Sequence, residues 1–185
     1  MTKPGDSNPI PAKPPSRDDD TKLQAATGPT LPPVRRRILL VDDDPGVRSS
    51  IGAVLCGEGY LVLPARDGQE AISLAAVTEI DLAILDLNMP VRDGWDTFEQ
   101  LSREHPLVPV IIATAKPNQL FTALGAGVGA LIEKPIEIPI LLAAIARLLT
   151  EPGEEQLKRL AGKPAEFCFA RASLDEKRNT GRGSP

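Results

Sequence analysis

Between Ile38 and Leu149 the chain alternates two hydrophobic rhythms. Short, wholly apolar runs predict buried strands; stretches with apolar residues three or four apart predict amphipathic helices. Strands are expected at Ile38 to Val41, Tyr60 to Leu63, Ile80 to Leu87 (around the apolar run that leads into Asp86), Val108 to Ala113 and Ala130 to Ile132. Val47, Ile51, Val54 and Leu55 trace a first helix, with Asp44 as N-cap and Pro45 in its first turn, stopped by Gly57 and Gly59. A second helix opens at Asp67-Gly68-Gln69-Glu70 and turns Ala71, Ile72, Leu74 and Ala75 inward. Further helices are expected at Trp95 to Glu104, at Leu120 to Ala126 before Gly127, and at Ile138 to Leu149. Five strands alternating with five helices predict an α/β fold, a parallel sheet covered on both faces and joined by right-handed crossovers.

The flanks break this rhythm. Residues 1–36 are rich in Pro, Lys, Asp and Ser and predict a disordered N-terminal arm, because they cannot bury enough surface to offset ordering entropy. Arg35-Arg36-Arg37 at its end reads as a solvated basic cluster. Residues 152–185 are charged and punctuated by Gly and Pro. They predict a flexible C-terminal tail with a short helix around Glu155 to Leu160 and no room for an effector domain.

Three of the apolar runs end in charge. The first runs into Asp42-Asp43-Asp44, the third into Asp86 followed by Leu87-Asn88-Met89-Pro90, and the last into Glu133-Lys134-Pro135. A carboxylate at the mouth of a buried strand is costly without a partner or a task. If the three runs are parallel neighbours, their carboxyl ends bring several acids and one ammonium into one crevice. In open parallel sheets that is where ligands bind. Such a set suits a divalent cation and a phosphoryl group. Asp44 reads as a cap, Asp93-Gly94 as turn chemistry, and Trp95 as packing near the site.

Composition narrows the picture. With 185 residues, 42% hydrophobic and 3% aromatic, the chain fits one domain with an aliphatic core plus tails. A net charge of -4 gives no general case for nucleic acid. No run approaches the roughly 20 apolar residues of a membrane span, and the N-terminus lacks the apolar core of a signal peptide. A cytoplasmic protein that does not insert into membranes is the expectation. Cys56 reads as a buried thiol, and His105 as a residue at a helix end.

The runs Ile38 to Pro45, Leu85 to Pro90, Ala113-Thr114-Ala115 and Glu133-Lys134-Pro135 together resemble the receiver domain of two-component response regulators, over residues 37–151. The resemblance implies a CheY-like sheet of order 2-1-3-4-5. It implies that Asp86 accepts a phosphoryl group from a histidine-kinase phosphohistidine. Asp43 would ligate Mg²⁺ directly, Asp42 mainly through water, and Asn88 through its backbone carbonyl, with Asp86 completing the metal set. Thr114 would move to hydrogen-bond the phosphoryl group, Lys134 would pair with its oxygens, and Pro135 would follow a cis peptide. Leu131 departs from the pattern, which often has Tyr or Phe there. Lys116, two residues after Thr114, is expected to shield the acyl phosphate.

The implied partners are a sensor histidine kinase or histidine phosphotransfer protein and a downstream protein target. The chain is expected to be a signalling domain rather than an enzyme. Two alternatives stay open: a non-phosphorylated adaptor with this fold, and an aspartate-nucleophile phosphatase.

Overall fold

The computed structural model describes residues 35–89 and 93–171. Most of the expected arm, and residues 172–185 of the expected tail, lie outside the described residues, as does Pro90. The elements in chain order are β1 (Arg37–Val41), α1 (Pro45–Gly57), β2 (Leu61–Ala65), α2 (Gly68–Val77), β3 (Leu82–Leu85), α3 (Gly94–Glu104), β4 (Val110–Thr114), α4 (Leu120–Ala126), β5 (Ala130–Glu133), α5 (Ile138–Thr150), α6 (Gly153–Leu160) and β6 (Cys168–Ala170). The sheet runs β2-β1-β3-β4-β5-β6, and every pairing is parallel.

Strand alternation divides the core into two layers. Leu39, Val41, Ala83, Leu85, Ile112 and Leu131 face one side with residues of α2, α3 and α4. Ile38, Leu40, Leu82, Ile84, Ile111 and Ile132 face the other with residues of α1 and α5. Because both faces are covered, the central strands have no polar face, which explains their unbroken apolar runs. The helix ends follow their capping residues. Asp44 accepts from the Gly46 and Val47 amides at the start of α1, Asp67 from Glu70 at α2, and Gly127 closes α4 at φ 84°.

Four expectations need correction. The expected five strands are six, and the expected loose tail carries structure as far as residue 171: the short helix expected around Glu155 to Leu160 is α6, which packs against α4, and the unexpected β6 adds to the edge of β5. A Cβ on Gly127 would meet the Arg159 carbonyl at 2.7 Å, so the missing side chain is what lets α6 approach. Arg159 is buried, donates to Gln156 (2.8 Å) and the Glu166 carbonyl (3.1 Å), and forms an ion pair with Glu151 (2.5 Å), which ties the segment down. The third strand is shorter than Ile80 to Leu87. Asp86 already lies past its end, its N–H still bonded to the Val41 carbonyl (2.9 Å). Cys56 is exposed rather than buried, because α1 turns Ile51 and Leu55 inward instead.

At the other edge, β2 contains Pro64. Two arginines of the basic cluster are paired: Arg36 meets Asp81 at 2.8 Å and Arg37 meets Glu79 at 3.1 Å. His105 caps α3, its N–H on the Leu101 carbonyl at 2.7 Å.

Candidate functional site

The loops after β1, β3, β4 and β5 converge at the carboxyl edge of the sheet, because parallel pairing with little stagger aligns the strand ends. Val41 is in register with Leu85, and Thr114 with Glu133. Asp42, Asp86 and Lys134 are therefore each the first residue beyond a strand.

These three side chains form one charged cluster. The Lys134 ammonium donates to Asp42 Oδ2 at 2.7 Å and to Asp86 Oδ2 at 2.6 Å. Asp42 and Asp86 are 3% and 4% exposed, so their charges are paired where water is scarce. Burial alone would lower the Lys134 pKa. The hydrogen bonds to Asp42 and Asp86 and the charges of both acids outweigh it, and the net shift is upward from the ordinary 10.5. The ammonium is thus fixed in its charged form at neutral pH.

The remaining carboxylate oxygens are oriented by backbone. Asp42 Oδ1 accepts from the Asp44 N–H at 2.9 Å, and Asp86 Oδ1 accepts from the Asn88 N–H at 2.9 Å. Arg48, reaching back from α1, donates to the Asp42 carbonyl at 2.5 Å. Asp43 is exposed beside them, and the carboxylate oxygens of Asp42, Asp43 and Asp86 lie within 4.8 Å of one another. Three hard oxygen donors, one of them open to solvent, fit a magnesium ion that keeps part of its water shell.

Thr114 is fully buried, and its hydroxyl accepts from the Lys116 N–H at 3.1 Å. It is beside the cluster at the end of β4, while its hydroxyl hydrogen-bonds within its own turn. Asn88 is exposed and follows Asp86 in the loop. Lys116 reaches across to the Leu87 carbonyl at 3.4 Å and to Asp93 at 3.6 Å. The Lys134–Pro135 peptide is cis. Leu131 is fully buried under α4, in register with Ile112 on one side and Phe169 on the other. Trp95 donates its indole N–H to Gln119 at 3.1 Å and stacks edge-on against Phe98, joining the starts of α3 and α4. An apolar groove lined by Val47, Ile51, Pro135, Ile136 and Ile138 opens beside Lys134.

Two contributors escape sequence reasoning. Gly94 reads there as turn chemistry, yet a Cβ on it would stand 2.3 Å from the Asp86 carbonyl and 2.6 Å from Leu87 Cα. Its signal is only an Asp-Gly pair, which turns share. Arg48 carries no local signal, because its contact is set by how α1 leaves the Asp42 loop.

Comparison with known proteins agrees with this fold. Residues 38–146 match the family model of the response regulator receiver domain. The chain is similar to response regulator MprA of Mycolicibacterium vanbaalenii, 36% identical over 143 residues, covering 75% of this chain and 60% of that protein. It is also similar to transcriptional regulatory protein CpxR of Klebsiella pneumoniae, 38% identical over 132 residues, covering 69% of this chain and 56% of CpxR. The chain thus spans little more than half the length of these relatives. Among solved structures, a CheY-like receiver domain protein of Methanospirillum hungatei aligns with a TM-score of 0.60 at 31% identity, over 67% of this chain and 98% of that one. TrrA of Thermotoga maritima, solved in complex with Mg(2+)-BeF, aligns with a TM-score of 0.58 at 26% identity, over 61% and 98%.

Proposed function

Because the chain belongs to the response regulator receiver domain family, we propose that Asp86 is its phosphoacceptor in a two-component phosphorelay. The donor is the phosphohistidine of a sensor kinase or phosphotransfer protein. The observation that carries this reading is the clamp of one ammonium, Lys134, between two buried carboxylates, Asp42 and Asp86. A carboxylate attacks phosphorus slowly unless the charge that gathers on the phosphoryl oxygens is neutralised in place. Lys134 is already held where that charge develops.

In the proposed transfer an Asp86 carboxylate oxygen forms a bond to phosphorus as the phosphorus–nitrogen bond of the donor breaks. The imidazole leaves with that electron pair and takes up a proton. Asp42, Asp43, Asp86 and the Asn88 carbonyl are the groups that would hold Mg²⁺, and bound there it would neutralise phosphoryl charge. Lys134 moves its hydrogen bond from Asp86 to a phosphoryl oxygen, and Thr114 turns its hydroxyl from Lys116 N–H toward the new anion. The apolar groove beside Lys134 offers the donor protein a surface next to the acceptor. The added charge of about -1.5 to -2 then biases α4 and β5, and the output is a protein–protein contact.

The test is incubation of the full chain with acetyl phosphate and Mg²⁺. The expected result is an alkali-labile adduct that is lost in Asp86→Ala and when the metal is chelated. Absence of an adduct would favour the adaptor reading, and sustained turnover of small phosphate esters would favour a phosphatase.

A further inference from the structure

The edge of β5 is occupied by the chain's own β6, and the attachment points sit on the residues that flank the charged cluster. Ala130, Leu131 and Ile132 are in register with Cys168, Phe169 and Ala170. The Cys168 N–H meets the Gly129 carbonyl at 3.4 Å, a long hydrogen bond. Arg171 reaches back to Glu133 at 2.7 Å. Glu133 immediately precedes Lys134, whose N–H is bonded to the Thr114 carbonyl at 2.9 Å. The distal end of β6 is therefore pinned one residue from the ammonium that holds Asp86.

The two parts of this C-terminal segment are held unequally. The α6 helix is anchored by buried Arg159 and by its close approach to Gly127. The β6 strand is three residues long, Phe169 is 40% exposed, and its terminal ion pair is 65% exposed on the arginine side. A surface pair of this kind is screened by solvent and holds the strand weakly. Between them Gly162 adopts a φ of 67°, a turn at which the chain changes direction. Cys168 and Ala170 are partly buried against the core, and short edge strands of partly buried residues belong to the low-stability end of local opening.

We propose that β6 is a releasable occupant, in cis, of a strand-docking edge on β5. Its release is driven by charge added at Asp86, and the partner is an extended protein segment that adds a parallel strand and places a basic side chain on Glu133. This inference rests on the phosphoacceptor reading of Asp86. New negative charge draws Lys134 and the adjoining Glu133 backbone toward the site, which disturbs the Glu133–Arg171 pair and the register of β6. The freed edge offers backbone groups that pair with another strand, and Glu133 selects a basic residue at the end of it. By reciprocity, a partner strand on β5 favours the phosphorylated state by the same factor.

Amide exchange of residues 166–171 in the full chain tests this, with and without acetyl phosphate and Mg²⁺, beside intact-mass measurement of the adduct. Exchange is expected to quicken about fivefold or more on phosphorylation, with no change in Asp86→Asn. A labelled peptide carrying residues 166–171 is expected to bind the phosphorylated chain at least about fivefold more tightly than the unphosphorylated chain, and Glu133→Gln is expected to weaken it. An adduct accompanied by unchanged protection, or by equal peptide binding in both states, overturns the proposal alone. Absence of any adduct overturns the phosphoacceptor reading as well.

Discussion

At Lys134 one ammonium satisfies two nearly buried carboxylates, so its removal has two consequences of opposite sign. Lys134→Ala leaves Asp42 and Asp86 facing each other without a cation. We expect it to destabilise the metal-free protein by about 2 kcal/mol, discounted from a fully buried pair because the lysine is partly exposed. The same change removes the charge that opposes a second cation, so Mg²⁺ should bind more tightly and raise the melting temperature more than in the wild type. Melting curves at several Mg²⁺ concentrations check both. Lys116 is placed differently. Its ammonium lies over the Leu87 carbonyl and beside Asp93, close to the acceptor yet outside the clamp. Lys116→Ala is expected to shorten the acyl-phosphate lifetime several-fold, read as loss of labelled adduct over time, and an unchanged lifetime would remove Lys116 from the mechanism. At this scale the sequence was highly legible. Asp42, Asp86 and Lys134 each stand directly after an apolar run, and parallel pairing makes strand ends meet. Arg48 and Gly94 were not legible, because their contacts depend on the path of a helix start and the depth of a loop.

The elements carry their own tests. Gly94, the first residue of α3, permits the helix to start against the backbone of Asp86 and Leu87. Gly94→Ala must displace that backbone or the helix, and we expect a loss of about 1–3 kcal/mol in denaturant unfolding. Gly127 combines a left-handed backbone with contact against α6. Gly127→Ala is expected to cost roughly 1–2 kcal/mol from conformation alone, with additional loss from displaced α6, and faster proteolysis after residue 152 would show where the loss falls. The alternation of strands and helices from β1 to α5 was readable because each element has its own hydrophobic period. The β6 strand was not, since Cys-Phe-Ala between polar and charged neighbours has no period to read. It is a strand because β5 offers an edge and α6 delivers the chain to it. Leu131 is explained in the same way: it packs under α4 between strands on both sides, a site that takes an aliphatic side chain.

Over the whole molecule, the receiver core and the C-terminal segment are joined by a charge network at the end of α5. Arg147 bonds to the Gly129 carbonyl at 2.8 Å and pairs with Glu151, which also takes Arg159. Arg159→Ala leaves Glu151 short of a partner in a largely buried place. We expect it to lower the opening free energy of residues 153–171 by about 3 kcal/mol, with amide protection of β1 to β4 and Mg²⁺ affinity unchanged. Uniform loss of protection across the sheet would show instead that α6 and β6 belong to the same cooperative unit as the core.

The proline in β2 makes the two borders of the sheet unlike. The Leu61 N–H bonds to the Arg36 carbonyl, and the Ala65 carbonyl accepts from the Asp42 N–H. Residues 61, 63 and 65 therefore direct their backbone groups toward β1, and Pro64 falls at an outward position, where it has no hydrogen to give. An incoming chain on that border finds only the Val62 amide within the strand, too few donors to build a ladder. Growth of the sheet, whether by a binding partner or by aggregation, is blocked on the β2 border by covalent structure. The β5 border is closed only by a strand that the same chain can lift away.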